Sequence, residues 1–259
     1  MKCAVRAKNG RVPVKGSSRV WERYAWLAGI VYVLALVAVS VVALGVKAKQ
    51  DNSATKVANL LHEHHERLVV IACLAVVYAP MFLIYLTRLH DLLRRNTTAP
   101  RFLSTWVITG GVLFITLHAI SDIGITGMVG AKVASVGPHD PDVPYALYLL
   151  TFAFDSVADV FGSLFAVAAG WLVIESRVLP RWLGWALILA SPFLLLQGFG
   201  LGGVIASFGL TLDLIGFLLL LIFIVASSAI LFIRNEPAKG AAAGSAQAGG
   251  GLRQPEVNT

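Results

Sequence analysis

Two aspartates, Asp155 and Asp159, stand inside ALYLLTFAFDSVADVFGSLFAVAAGWLVI, a run over 146–174 that is otherwise apolar and long enough to cross a bilayer. At i and i+4 they share one helix face. A carboxylate in hydrocarbon costs roughly 2.5–3.5 kcal/mol on insertion scales, so that face is expected to turn toward the protein interior or a wet cavity. The acid form of such a group can donate a proton to a substrate or shuttle one. His118 and Asp122 form a second i, i+4 pair in the apolar block before it, Asp213 stands near the start of the last block, and Gln197 ends the block before that.

Depth can be counted at ~1.5 Å per residue, which puts Asp155 about 15 Å and Asp159 about 20 Å from one face, and His118 about 24 Å and Asp122 about 30 Å from the other. These groups therefore fall from mid-membrane toward one side. The expectation is an outward-facing pocket between the third and fourth spans. Asp155, Asp159, His118 and Asp122 are its catalytic candidates, and Asp213, Gln197, Phe152 and Tyr148 its binding candidates. A structural reading stands beside this one. Asp122 and Asp213 would be solvated or capping residues at helix ends, His118 a packing histidine, and the two central aspartates bonded to Ser156 and Ser163.

The run His62-Glu63-His64-His65-Glu66 is the other cluster with chemical potential. On one continuous helix His62 and Glu66 are i, i+4, a spacing that can bind a divalent metal. The zincin pattern H-E-x-x-H needs histidine where Glu66 stands, and no third ligand is evident, so the pair is a weak metal candidate against a solvated amphipathic entry to the second span.

The elements that must position these residues follow from composition. With 57% of 259 residues hydrophobic and 14% charged, the chain belongs to the membrane class and leaves no room for a separate soluble domain. Six apolar blocks, at about 24–46, 68–89, 102–126, 146–174, 182–197 and 210–233, predict an all-α polytopic membrane protein built as a six-transmembrane-helix bundle. A basic tail over 1–23 precedes the membrane domain at 24–233. The Ala- and Gly-rich residues 234–259 are expected to be disordered. Pro80 predicts a kink in the second span, which neighbours can accommodate. Among the 21 lysines and arginines, only Lys47, Lys49, Lys56, Arg67 and Lys132 fall in the first, third and fifth connections, so the positive-inside rule puts both termini in the cytoplasm. Trp21, Trp26, Trp106, Trp171, Trp182 and Trp185 fall near the cytoplasmic ends, as an interfacial aromatic belt would.

Several function classes drop out. The net charge of +7 is spread over loops and termini and reads as topology rather than as a nucleic-acid surface. Cys3 and Cys73 are too few and too far apart for a disulfide framework. Nucleophilic triads, phosphate loops and Rossmann fingerprints are missing from the sequence, and no cofactor is expected. His65, His90 and His118 do not fall at depths that would pair as haem ligands.

The segment LVIESRVLPRWLGWALILASPFLLL, with Leu179, Pro180, Arg181, Trp182 and Gly184, resembles a motif in a domain-of-unknown-function family of small bacterial membrane proteins, where a polar turn opens the fifth span. The resemblance covers most of the chain between Trp21 and Ile233. It implies about six spans in a bacterial plasma membrane, and no activity. In chemistry, though not in any motif, the chain is similar to small bacterial membrane-bound terpene cyclases, in which an acid protonates an alkene or epoxide inside an apolar pocket. Membrane prenyltransferases also carry D-x-x-x-D on a helix, but they need a second acidic motif that this chain lacks.

Three functions are compatible with these residues. The first is a cyclase- or isomerase-type enzyme using an aspartic acid on a lipophilic, isoprenoid-like small molecule, with Phe152, Phe154 and Phe161 able to stabilise a carbocation. The second is a proton- or cation-coupled transporter, against which the lack of an internal repeat counts. The third is a non-catalytic accessory or sensor subunit.

Overall fold

The computed structural model describes residues 17–44, 53–127, 141–199 and 206–234, with side chains from residue 24 in the first segment and from 215 in the last. The expectations for most of the N-terminal tail and for the C-terminal tail lie outside these residues. Seven α-helices are described: α1 (Ser17–Val42), α2 (Ala54–Glu63), α3 (His65–Arg95), α4 (Arg101–Ala119), α5 (Asp142–Ser176), α6 (Arg181–Gly198) and α7 (Ala206–Arg234). Helix α4 runs on into a π-helical segment, Ile120–Thr126.

Among the described residues, five helices are long and apolar enough to cross a membrane: α1 from Tyr24, α3, α4 with its π-helical segment, α5, and α7 from Ile215. The chain is an all-α polytopic membrane protein. Helix α6, which occupies the expected fifth span, is not among the five. It has 18 residues, and Arg181 and Gln197 near its ends dilute the apolar run between them. Pro80 and Pro192 sit inside α3 and α6 without ending either helix.

The six longer helices form a closed ring in chain order. Each of α1, α3, α4, α5, α6 and α7 packs on the next, and α7 returns to α1. One continuous core draws on all six. Phe82 of α3 is fully buried and is the aromatic hub, with ring centroids 4.9 Å from Tyr32, 5.8 Å from Phe114 and 6.1 Å from Phe165. Leu34, Val76, Val157, Leu189 and Leu218 are exposed, as on a lipid-facing surface. Trp106, Trp171, Trp182 and Trp185 are also exposed, but Trp26 departs from the expected belt: it is buried and meets Tyr85 edge-on at 6.3 Å.

Helix α2 lies outside the ring. Its amphipathic pattern buries Val57, Ala58 and Leu61, and the Ser53 hydroxyl accepts from the Lys56 N–H at its start. The buried face forms a small second core with Leu68 and Ile125, against which Tyr145, Tyr148 and Phe154 pack. Helix α2 therefore covers the end of the ring where α3 and α5 begin and the π-helical segment ends. The opposite end carries Arg94, Arg95, Arg101, Arg177, Arg181 and Arg234. There Thr98 donates to Glu175 at 3.0 Å, and the Arg234 guanidinium donates to the Val178 carbonyl.

The Leu-Pro-Arg-Trp-Leu-Gly-Trp motif has a packing reason. A Cβ added at Gly170 of α5 would lie 2.7 Å from the Gly184 carbonyl oxygen, and one at Gly184 would lie 2.7 Å from the Gly170 carbonyl oxygen. The two backbones touch, as small residues allow between membrane helices. Gly170→Val and Gly184→Val are each expected to destabilise the fold by about 1–3 kcal/mol through overpacking. Reversible unfolding in mixed micelles measures this, and a Gly184→Val protein as stable as the wild type would contradict the contact.

Candidate functional site

His118, Asp122 and Asp155, with Tyr78, lie at the α2 end of the ring on side chains from three adjacent helices. His118 of α4 and Asp155 of α5 approach to 4.0 Å between Nδ1 and Oδ1. Asp122 accepts a hydrogen bond from the Tyr78 hydroxyl of α3, 2.6 Å to Oδ2. The expectation that His118 and Asp122 project together is thus not what forms. The π-helical segment begins at Ile120, between the two residues. Its i→i+5 pattern adds a residue to the turn. His118 faces α5, and Asp122 turns to α3.

Asp155 and Asp159 also differ in setting. The Asp155 side chain is 44% exposed, whereas Asp159 is buried, at 6%. One turn further along the same face, Ser163 is hydrogen-bonded to Ser191 of α6 at 2.9 Å, both buried. Asp155, Asp159 and Ser163 make a polar row at i, i+4 and i+8. Beyond it, α5 carries only apolar side chains and a glycine until Glu175, and Phe165, Ala166, Ala168 and Ala169 are fully buried.

Packing holds these side chains in place. The Phe114 ring, one turn from His118, lies 4.7 Å from the imidazole and fills the space over Gly162. A Cβ on Gly198 would lie 2.7 Å from the Ser156 carbonyl oxygen, so the end of α6 closes tightly on α5 between the two aspartates. Beside that contact, the Gln197 Oε1 atom is buried and has no hydrogen-bond partner among the described residues. A buried acceptor left in that state costs about 1–3 kcal/mol unless water or a ligand reaches it. Near the start of α5, Tyr148 and Phe152 meet edge-on at 4.9 Å. Ser121 and Thr151 link the π-helical segment to α5, the Ser121 hydroxyl donating to the Thr151 carbonyl at 3.4 Å.

Other expected residues stand apart. The side chain of Asp213 lies outside the described residues, although its backbone belongs to α7. His62 is in α2 and Glu66 in α3, because the helix breaks at His64 (φ −115, ψ 22). The i, i+4 relation expected of them does not form; instead the His65 imidazole donates to the His62 carbonyl at 2.9 Å. No group of three or more metal-ligating side chains occurs among the described residues. Cys73 is a free, exposed thiol on α3.

Tyr78 is the member of the site that sequence reasoning missed. A buried tyrosine hydroxyl needs a partner, so Tyr78 inside an apolar block was itself a signal of a polar neighbour. A family model for a domain of unknown function, DUF4386, matches residues 27–233. No curated protein and no solved structure matches the chain.

Tyr78→Phe keeps the ring and removes the hydrogen bond to Asp122, at an expected cost of about 1–3 kcal/mol for a bond to a charged or desolvated acceptor. A double-mutant cycle with Asp122→Asn isolates it. A coupling energy indistinguishable from zero would contradict a bond between the two side chains.

Proposed function

The chain belongs to the DUF4386 family, and from the acid–histidine group at the α2 end of its ring we propose that it is a membrane-embedded enzyme of the cyclase or isomerase type, working by proton donation to a lipophilic, isoprenoid-like substrate. The observation that carries this reading is the half-exposed Asp155 carboxyl, with His118 4.0 Å away, inside a helix long and apolar enough to cross a membrane. A carboxyl held only for packing is best sealed; one left open at that depth is suited to meet a substrate.

In this mechanism Asp155 gives its proton to an alkene carbon. The π electron pair becomes the new C–H bond and leaves a carbocation on the neighbouring carbon. Loss of a proton from an adjacent carbon, directly or after ring closure, returns a proton to the Asp155–His118 pair. Isomerisation or cyclisation balances without a co-reactant. The rings of Tyr148, Phe152, Phe154 and Phe161 are the nearby aromatic candidates for stabilising positive charge. The buried Gln197 Oε1 offers an acceptor to a substrate hydroxyl. Asp159, behind Asp155, and Asp122, held by Tyr78, position the pair and shape its field.

The same reading takes α6 as a sixth, shorter crossing. It fills one place in the closed ring and, at 18 residues, is about 27 Å long, close to the ~30 Å hydrocarbon thickness. Six crossings would put both termini on one side, and the distribution of basic residues supports the cytoplasmic side; a bacterial plasma membrane is what the family resemblance implies. The site then opens outward. A proton-coupled carrier is the second reading, favoured by the polar row Asp155, Asp159 and Ser163 and its continuation to Ser191. The apolar stretch of α5 that follows is the reason an enzyme is preferred, since a carrier needs a path to the other face.

Asp155→Asn in lipid nanodiscs, supplied with polyprenyl substrates of differing length and monitored by product analysis, is expected to fold as the wild type and to lose turnover by about 10²–10⁴-fold. Asp159→Asn is expected to lose less. Turnover unaffected in Asp155→Asn would overturn the proton-donor assignment. Wild-type proteoliposomes that acidify on substrate addition without forming product would favour the carrier.

A further inference from the structure

The basic end of the ring is also indented, apart from the acid–histidine group. Between the last turns of α3 and the first turns of α4 lies a cavity of about 500 Å3, lined chiefly by His90, Arg94, Arg101, Ser104 and Thr105, with Ile108 at its apolar wall. That volume is within the ~300–1,000 Å3 typical of small-molecule sites. The lining is rich in donors and basic groups. Ser104, almost fully buried, is hydrogen-bonded to His90 Nε2 at 2.8 Å. Two guanidinium groups border the same space, and neither Arg94 nor Arg101 makes an ion pair with a carboxylate among the described residues. The nearest acids are engaged elsewhere: Asp91 lies 4.0 Å from Arg95 and 3.9 Å from the far nitrogen of His90, and Glu175 accepts from Thr98.

Arg94 and Arg101, both exposed, border this one cavity, and the guanidinium fork matches the oxygens of a phosphate group. We propose that this cavity binds a phosphate-type oxyanion, held by Arg94 and Arg101 with Ser104, Thr105 and His90 as further hydrogen-bonding groups. Two sources carry that chemistry: the headgroup of an anionic phospholipid and a soluble phosphate. The surroundings favour the headgroup. Phe102 and Trp106, on the same first turns of α4, are exposed, and their rings meet at 5.4 Å. Exposed aromatic pairs of this kind sit at headgroup level. Basic residues at the ends of membrane helices meet anionic headgroups there.

The test uses the full chain in a neutral detergent, with tryptophan fluorescence as the readout. It is titrated separately with inorganic phosphate, short-chain phosphatidylglycerol and phosphatidylcholine of the same chain length. Saturable binding of phosphatidylglycerol, weakened at least ten-fold in Arg94→Gln/Arg101→Gln and unchanged in the charge-matched Arg95→Gln/Arg181→Gln, supports the site with a lipid source. Saturable binding of inorganic phosphate lost in the same double variant, with no added affinity for the lipid, supports it with a soluble source. If the double variant misfolds, Arg101→Gln alone is expected to weaken binding several-fold. Equal affinity for phosphatidylglycerol and phosphatidylcholine together with no saturable binding of inorganic phosphate, or variants that bind either anion as the wild type does, overturns the proposal.

Discussion

Hydrocarbon supplies no hydrogen bonds, so a polar side chain inside a membrane-spanning helix is stabilised by a partner within the protein. That constraint orders this ring. Tyr78 is hydrogen-bonded to Asp122 from α3 to the π-helical segment and Ser163 to Ser191 from α5 to α6, while His118 of α4 comes within ion-pair distance of Asp155 of α5, at 4.0 Å. Tyr85 and Ser227 close a fourth link, 2.7 Å long, between α3 and α7. Three of these links join helices that neighbour each other around the ring, so polar satisfaction and ring order reinforce each other. The π-helical turn belongs to the same solution. Without its extra residue, His118 and Asp122 would share a face, and one helix would have to offer partners to both.

The two ends of the ring divide the labour. The α2 end gathers carboxylates, an imidazole and hydroxyls beneath an amphipathic helix. The other end gathers arginines and exposed tryptophans. Between them stands an aromatic and aliphatic core centred on Phe82, Phe114 and Phe165. In the proposed function this core is the floor of a one-sided site. A dry floor suits carbocation chemistry, because it keeps water from intercepting the intermediate.

Much of the fold was legible because apolar length is the dominant signal in a membrane chain. The third block, expected over 102–126, is α4 with its π-helical segment over Arg101–Thr126, and the fourth, expected over 146–174, begins four residues earlier and ends two later. The fifth block formed a helix, but Arg181 and Gln197 leave it outside the five that are apolar enough to cross. Helix α2 was hidden because its ten residues follow straight into α3, and only the backbone at His64 separates them. That break is local geometry without a glycine or proline to announce it, and it removes the spacing on which the His62–Glu66 idea depended. Within the site, Asp155, Asp159 and His118 could be picked out because charge inside an apolar run is conspicuous. Tyr78 could not be matched to Asp122, since a contact 44 residues apart is set by packing rather than by spacing.

In the proposed function Asp155 lies in an opening reached from water, whereas the side chains beyond Ser163 do not. Cysteine accessibility tests this most directly. In a background with Cys3 and Cys73 replaced by serine, Asp155→Cys and Ala166→Cys are treated in sealed vesicles with a membrane-impermeant thiosulfonate. Rapid labelling at 155 from the side facing α2 and none at 166 from either side is expected. No labelling at 155 from either side would contradict it, leaving the carboxylates as packing groups in a closed bundle.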